Sequence, residues 1–217
     1  MSPVTIARRA AQEGLALAAL TDHNSALNAP AFAAACAREK IVPVFGIEVT
    51  TMEEAHVLAL FETPQQALKL GELLYAALPA IPNDPEKMGD QVYVNEAEEI
   101  IGEVEKFLVT AVEFPLDEVA RLIRDLDGLF IPAHVDRAAF SLISQLGFIP
   151  SMDYDGMEIT SWPPVAGTGG IPLLSDSDAH YPEDIGKRRT FFEADAASFQ
   201  AFRAALKDGR VETSIKK

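Results

Sequence analysis

The sequence predicts an α/β protein, and three observations lead to this fold class. Short apolar runs with the length of buried strands alternate with helical segments, which favours a parallel sheet or a βα barrel. The chain has 217 residues, a length that fits one domain or one barrel. No internal repeat, low-complexity run or linker divides the sequence, so we expect residues 1–217 to form a single domain.

The first helix and the first strand have clear boundary signals. Ser2 as N-cap and Pro3 at the first helical position predict a helix that runs to about Glu13 and ends at Gly14. The apolar run Leu15–Leu20 then has the length of a strand. A Thr-Asp-His sequence follows it, in place of the Gly-x-Gly-x-x-Gly turn of dinucleotide-binding open sheets. This difference weakens the open-sheet alternative, although the alternation alone does not exclude it.

The remaining elements follow from the same signals. We predict helices over Asn28–Lys40, Pro64–Leu78, Pro115–Leu126, Phe140–Leu146 and Ala196–Lys207. We predict strands over Ile41–Phe45, Val57–Phe61, Gly128–Ile131, Gly156–Thr160, 171–174 and Thr190–Glu193. Prolines and a glycine mark Pro79–Asp90 as a loop. Gln91–Val94 and Glu99–Val104 are predicted to form a hairpin around Asn95-Glu96.

Composition and charge argue against some classes of partner. The chain is 48% hydrophobic and 24% charged, as ordinary soluble globular proteins are. Its net charge of -15 opposes a nucleic-acid polymer, because such binding depends on Lys and Arg that neutralise phosphates. We therefore expect nucleic acid to be an unlikely partner. A small anion could still bind where metal ions supply positive charge.

Cysteine usage and hydropathy predict a cellular location. The single cysteine, Cys36, excludes an intrachain disulfide, so the cytoplasm is the expected compartment. The N-terminus has no apolar signal core, and no apolar run is long enough to span a bilayer. We expect no membrane association.

Three of the four histidines and one glutamate occupy related places in the predicted strands. His23, His134 and His180 each follow an apolar run of strand length, and Glu48 follows Phe45 in the same way. In βα proteins, residues just past the carboxyl ends of strands converge on one face, where active sites are built. We therefore expect these side chains to meet.

His56 and Asp178 extend this set. His56 precedes its strand, but a hairpin between Val44–Thr50 and Val57–Phe61 would bring it to the same face as Glu48. Asp178 lies two residues before His180, so on an extended chain both side chains point the same way and reach one metal ion or two adjacent ones. Carboxylate and imidazole together suit Zn, Mn or Fe. The predicted metal-binding residues are His23, Glu48, His56, His134, Asp178 and His180.

These residues lie in short motifs that occur in a fixed order. The motifs are Thr21-Asp22-His23-Asn24, Gly46-Ile47-Glu48, His56-Val57-Leu58, Pro132-Ala133-His134 and Ser177-Asp178-Ala179-His180. The ordered set spans most of the chain and resembles the PHP (polymerase and histidinol phosphatase) domain family. The resemblance implies a distorted (β/α)7 TIM-like barrel, up to three divalent metal ions at the strand ends, and hydrolysis of phosphate esters.

The resemblance also implies how the metal ligands are shared. Glu48 would bridge two ions, and His56 and His134 would complete one of these sites. His23 and His180 would serve another site. Asp178 would serve the site nearest the start of the barrel.

One feature of the family is missing from this chain. PHP proteins open with a strand that carries a His-x-His pair, whereas this sequence begins inside what resembles the following helix. Either Met1 is an internal methionine of a longer natural chain, or a strand and a metal site have been lost. We favour the first explanation, because removing a barrel strand exposes two neighbouring edges. For the chain as given, we expect one or two ions of Zn, Mn or Fe.

Two further residues are candidates for the chemistry. Metal ions would activate a water molecule and neutralise the phosphoryl oxygens during in-line attack. Asp22 is a candidate to orient a ligand or that water, with a cap at the strand end as the alternative role. Arg137, three residues after His134, is the candidate phosphate-binding residue, with an ordinary surface arginine as the alternative.

The sequence thus predicts a hydrolase. Its expected function is that of a metal-dependent phosphoesterase that acts on a small phosphorylated metabolite or nucleotide. The alternative is a metal-binding or scaffold domain of the same family with impaired catalysis. The sequence leaves the oligomeric state open.

Overall fold

Helices and strands alternate through most of the chain in the computed structural model, which describes residues 1–216. The helices are α1 (Pro3–Gln12), α2 (Ala29–Glu39), α3 (Pro64–Ala77), α4 (Pro85–Met88), α5 (Leu116–Asp125), α6 (Leu142–Leu146) and α7 (Phe199–Lys207). The strands are β1 (Leu17–His23), β2 (Val42–Thr50), β3 (His56–Phe61), β4 (Val92–Val94), β5 (Ile100–Glu103), β6 (Leu129–Pro132), β7 (Met157–Glu158), β8 (Leu173–Leu174), β9 (Thr190–Phe192) and β10 (Val211–Thr213). Within residues 1–216, every helix is too short or too polar to cross a bilayer.

A four-stranded sheet with the order β1-β2-β3-β6 forms the centre of the molecule. β1 and β2 are parallel, whereas β3 is antiparallel to both β2 and β6. Three two-stranded pairs complete the strands of residues 1–216, namely parallel β7–β8, antiparallel β9–β10 and antiparallel β4–β5. The protein is therefore a mixed α/β fold, and these pairings do not confirm the closed seven-unit barrel.

Side-chain alternation along β2 divides the interior into two regions. Phe45 and Ile47 point toward α2 and α3 and belong to the larger hydrophobic cluster. Val44, on the opposite face, packs in a second cluster that includes residues of α7. Because strand side chains alternate with a period of two, Glu48 shares the face of Val44. The sequence of β2 thus places a carboxylate on the face opposite the helix-packed core.

Capping residues explain where several helices begin. The Ser2 hydroxyl accepts the N–H of Thr5 at 3.3 Å, which confirms the predicted start of α1. Thr63 and Gln66 form a capping box at the start of α3. The last long helix begins later than predicted, because Ser198 rather than an earlier residue serves as its N-cap.

Several element boundaries differ from the predictions. The hairpin of β4 and β5 is confirmed, but the loop before it contains the short helix α4. β10 was not predicted, and β7 is shorter than the predicted strand over Gly156–Thr160. β1 extends further than predicted, to His23, because its parallel register with β2 continues to the pair His23–Glu48. β2 covers both the predicted strand Ile41–Phe45 and the predicted hairpin strand Val44–Thr50. Thr21, Asp22 and His23 were expected to follow β1, whereas they form its last paired positions.

The close approach of the central strands generates a stability prediction. A Cβ atom at Gly46 in β2 would lie 2.6 Å from Thr21 Cγ2 and 2.8 Å from Leu60 Cδ2. Gly46→Ala should therefore lower the free energy of unfolding by ~1–3 kcal/mol, the usual cost of overpacking. Urea denaturation measures the change. Gly169→Ala is the control, because its Cβ would have nothing within 4 Å. Equal stability of the two variants would contradict this packing.

Candidate metal centre

The ends of four strands bring four of the predicted ligands together. His23 is the last residue of β1 and lies opposite Glu48 in the parallel register with β2. The antiparallel register of β2 and β3 pairs Thr50 with His56, so the predicted hairpin is confirmed. His134 follows β6, which pairs with β3. All four side chains reach the same rim of the sheet.

The carboxylate of Glu48 lies at the centre of three imidazoles. Its Oε1 is 2.8 Å from Nδ1 of His56 and 3.3 Å from Nε2 of His134. Its Oε2 is 3.6 Å from Nδ1 of His23. One ligand atom each from His23, Glu48 and His56 lie within 4.8 Å of one another, a spacing that could hold a metal ion. Phe140 covers this cluster by stacking on His56 with a ring-centroid distance of 4.7 Å.

Burial and hydrogen bonding set the charges of the cluster. Burial favours the neutral form of Glu48, but hydrogen bonds from His134 and His56 outweigh this effect and hold the pKa of its carboxyl well below the usual range. Burial lowers the pKa of His23, and this effect outweighs the negative charge of Glu48, which raises it. A carboxylate beside a neutral imidazole is the protonation state in which both can bind a metal ion.

Unpaired imidazole nitrogens support a cation at this place. His56 Nε2, His134 Nδ1 and His23 Nδ1 are buried and have no hydrogen-bond partner within residues 1–216. Buried polar atoms normally have partners, because leaving them unpaired costs free energy. Imidazole and carboxylate donors fit Zn, Mn or Fe, so the residues of this cluster suit a divalent metal ion.

Asp178 and His180 are less closely connected to the cluster around Glu48 than the other predicted ligands. Asp178 Oδ2 is 2.5 Å from Nη1 of Arg137, so an arginine already neutralises this carboxylate. The His180 side chain is 66% exposed, and its Nδ1 is 3.9 Å from Asp178 Oδ1. Both residues are near enough to His23 to influence its charge. Their roles as metal ligands, and that of Arg137 in phosphate binding, stay predictions.

Asp22 faces away from the imidazole cluster. It precedes His23 in β1, so its side chain points to the opposite face of the strand. Its Oδ2 accepts a hydrogen bond of 3.1 Å from Nδ2 of Asn28, the residue before α2. Burial raises the pKa of the Asp22 carboxyl. This contact connects β1 to α2, and a role in orienting a ligand or water stays a prediction.

Sequence reasoning missed three residues that support the cluster. Asn24, which is 1% exposed, accepts the N–H of Thr50 and donates to Leu108 and Thr110. Phe140 stacks on His56, and Glu158 accepts the N–H of His134 at 2.8 Å. Asn24 could have been suspected from its place beside His23. No local sequence pattern indicated Phe140 or Glu158, because the residues that they contact are remote in sequence.

A cavity of about 450 Å³ opens beside the cluster. It lies between the free edge of β1 and the segment 174–180. Its polar end includes His23, Glu48 and Asp178, and its wall includes Leu58 and Leu60. This volume is in the usual range of small-ligand pockets.

Comparison with protein families identifies the fold family. A model described as the PHP domain matches residues 1–135, and a PHP-associated model matches residues 165–211. The first match covers more than half of the chain, which therefore belongs to the PHP domain family. Comparison with curated protein sequences finds no significant match.

Solved structures share this fold at low sequence identity. Endonuclease Q from Pyrococcus furiosus, a lesion-specific endonuclease, matches with a TM-score of 0.66 and 21% identity over 98% of this chain. The chain spans 53% of that protein, about half of its length. An amidohydrolase from Chromobacterium violaceum matches with a TM-score of 0.57 and 19% identity, and the match covers 98% of this chain and 92% of that protein. A two-domain protein from Bacteroides vulgatus that contains a predicted PHP-like metal-dependent phosphoesterase matches with a TM-score of 0.55 and 15% identity. The match covers 97% of this chain and 59% of that protein.

These neighbours correct one expectation from the sequence. Endonuclease Q has also been crystallised with a 27-mer duplex that contains an abasic lesion at its active site, and it matches this chain with a TM-score of 0.67. The prediction that nucleic acid is an unlikely partner was therefore wrong. It relied on the net charge of the whole chain, whereas a phosphate responds mainly to charges within about one Debye length, ~8–10 Å.

The carboxylate at the centre of the cluster generates a metal-binding prediction. Titration calorimetry with Zn²⁺ or Mn²⁺ should show binding to the wild-type chain and a loss of affinity of at least about 10–100-fold for Glu48→Ala. Glu72→Ala is the control, because this exposed glutamate of α3 forms an ion pair with Lys69 on the surface of the helix. Unchanged affinity of Glu48→Ala would show that the ion binds elsewhere.

Proposed function

We propose that this protein is a metal-dependent phosphoesterase. The observation that supports it best is the Glu48 carboxylate surrounded by three imidazoles with unpaired nitrogens, at the polar end of a cavity. His23, Glu48, His56 and His134 would hold the divalent ion. When bound, the ion would supply an acidified water and neutralise charge on the phosphoryl group.

The protein residues have defined tasks in this proposal. Glu48 stays ionised because His56 and His134 donate hydrogen bonds to it, so it can attract a cation without first losing a proton. Phe140 excludes water from one face of His56. The Arg137 side chain is 37% exposed, and Asp178 holds its guanidinium group in place. The planar N–H donors of this group can then bind phosphate oxygens.

The proposed substrate is a phosphate ester of a nucleotide, either free or within a strand. The cavity has carboxylates, His23 and arginine side chains at its polar end and leucines along its wall, which suits a charged group attached to a largely apolar ring. Endonuclease Q shares the fold and acts on DNA, which supports the second form. This chain spans about half of that protein, so its own substrate has to be measured.

A second candidate function is metal binding without turnover. The observation that favours it is the incomplete assembly of the predicted ligand set, since Asp178 is paired with Arg137 and His180 is turned to solvent. In this case, the cluster around Glu48 would bind an ion, but no phosphate ester would be hydrolysed.

Domain organisation and compartment also belong to the proposal. We infer that residues 1–217 act as one domain, because Leu174, in the segment of the second family match, packs with Val44 and Leu60 of the first. A cytoplasmic location is supported by the single cysteine. Cys36 is fully buried, and burial raises the pKa of its thiol to about 12, which suits a structural rather than a reactive group.

Activity measurements distinguish the two functions. The Mn²⁺- or Zn²⁺-loaded protein should hydrolyse at least one member of a panel of nucleoside monophosphates, a bis-aryl phosphodiester and short oligonucleotides with and without an abasic site. Glu48→Ala and His134→Ala should each lose at least about 100-fold in kcat/KM, because a metal ligand is removed. Full activity and metal content in both variants would exclude the proposed site. Metal binding without any turnover would favour the second candidate.

Arg137 can be tested separately from the metal ligands. Arg137→Ala should raise KM for the best substrate by at least about 10-fold, since a hydrogen bond to a charged group is lost, and should change the metal affinity little. Arg121→Ala in α5 is the control, because this exposed arginine forms its ion pairs with Glu118 and Asp125 of the same helix. An unchanged KM would assign Arg137 to the neutralisation of Asp178 alone.

A further inference from the structure

A second cavity lies outside the candidate metal centre, between the strand pairs β7–β8 and β9–β10. Its volume is about 300 Å³, at the lower limit of small-ligand pockets. Residues 170–173, which lead into β8, form one side, and residues 209–213, which lead into β10, form the other. Trp162 and Lys216 complete the lining, and none of these residues lines the first cavity. The second cavity therefore has room for one small ligand of its own.

Trp162 gives this cavity an aromatic wall. It is the single tryptophan of the chain, and 44% of the residue is exposed. The Nζ atom of Lys216 lies over the indole ring, 5.5 Å from its centroid, where the negative face of the ring attracts a cation. The rest of the exposed indole surface is available to a second flat ring, because aromatic rings and nucleobases stack favourably on one another.

Lys216 gives the cavity a positive charge that no carboxylate neutralises. Within residues 1–216, its ammonium group forms no ion pair or hydrogen bond, and its contact with the Trp162 ring is the interaction that it makes. Glu212 also lines the cavity but forms no ion pair with Lys216. A lysine ammonium binds phosphate as a compact point charge. An anionic group on the ligand would therefore be attracted to this end of the cavity.

Polar groups of β10 add hydrogen-bonding capacity. Thr213 lines the cavity and is 3% exposed, and its hydroxyl has no hydrogen-bond partner within residues 1–216. A buried polar atom without a partner costs free energy, so a ligand that supplies one is favoured. The exposed carboxylate of Glu212 can accept from an amino group. A flat ring with donors and acceptors on its edge and a phosphate attached, which is a nucleotide, matches these features together.

Hydrogen bonds attach this cavity to the loop of the candidate metal centre. The carboxylate of Asp136, two residues after His134, accepts the backbone N–H of Thr160 at 2.8 Å and that of Ser161 at 2.7 Å. Trp162 directly follows Ser161, so its position depends on the loop that carries His134 and Arg137. Both sites thus lie along one connected set of loops at the carboxyl ends of β6 and β7.

We propose that the cavity beside Trp162 is a second nucleotide-binding site, in which the base stacks on Trp162 and Lys216 binds the phosphate. The nucleotide is either free or one residue of a nucleic-acid strand whose scissile phosphate lies at the metal centre. The chemistry of recognition is the same in both cases. The part of this site in turnover rests on the proposed function, whereas nucleotide binding does not.

Tryptophan fluorescence of the metal-free full chain tests the site directly. Trp162 is the single tryptophan, so the signal reports on this cavity. AMP should quench the fluorescence to saturation and bind about 5-fold more tightly than adenosine, because Lys216 interacts with its phosphate. Lys216→Ala should remove this difference. Lys207→Ala is the matched control, since this exposed lysine of α7 does not line the cavity. Equal affinity of the wild-type chain for AMP and adenosine, or no saturable quenching, would overturn the site.

Titration calorimetry with AMP tests the stacking surface. Trp162→Ala should lower the affinity by about 5-fold or more, and Trp162→Phe should retain part of it, because a smaller ring still stacks. Phe148→Ala is the matched control, because this aromatic residue is 62% exposed and lies outside the cavity. Wild-type affinity in both Trp162→Ala and Lys216→Ala would place the nucleotide elsewhere. If Trp162→Ala does not fold, Trp162→Phe and Lys216→Ala carry the test.

Kinetics of the metal-loaded protein distinguish the two sources of the nucleotide. If the cavity holds part of a strand, Trp162→Ala should raise KM for a short oligonucleotide by about 5-fold or more and leave KM for a nucleoside monophosphate unchanged. If it holds a free nucleotide, AMP should change the rate of bis-aryl phosphodiester hydrolysis by the wild-type chain more than that by Trp162→Ala. Neither effect in an active enzyme would overturn a part for this site in the reaction. Absence of turnover in the wild-type chain would count against the proposed function, and the AMP titrations would still decide on the site.

Discussion

The Glu48 carboxylate is the interaction on which the rest of the site depends. It lies within 3.6 Å of nitrogen atoms from His23, His56 and His134, which come from three different parts of the chain. A buried carboxylate is costly unless it is paired and hydrogen-bonded, and the imidazoles provide those partners. The parallel register of β1 with β2 and the antiparallel register of β2 with β3 bring these groups together at this rim of the sheet. A divalent cation would then satisfy the imidazole nitrogens that have no partner.

Patterns within single strands were sufficient to predict much of this arrangement. The apolar runs located the strands, and the polar residues after them located His23, Glu48 and His134. The predicted hairpin correctly brought His56 to Glu48, because a turn between two strands determines their register. The end of β1 was placed too early, at Leu20 and not at His23, because a paired strand can end in polar residues. The resemblance to the PHP domain family suggested the proposed function, which strand patterns alone do not contain.

Contacts between remote segments could not be predicted in this way. Glu158 is 24 residues from His134 in sequence, and nothing in the local sequence shows that its carboxyl accepts the His134 amide. The pairing of Arg137 with Asp178 likewise depends on how two loops meet. Charge gave the wrong inference about nucleic acid for a related reason. A sum over the chain says nothing about where the acids lie, and here several of them surround the place where a cation would bind.

X-ray absorption spectroscopy of the Zn²⁺-loaded protein tests the central claim most directly. The account predicts a first coordination shell of nitrogen and oxygen at ~2.0–2.2 Å, with the outer-shell scattering of two or three imidazoles and no sulfur. A shell of oxygen atoms alone, without imidazole scattering, would contradict it, because the ion would then lie away from the histidines around Glu48.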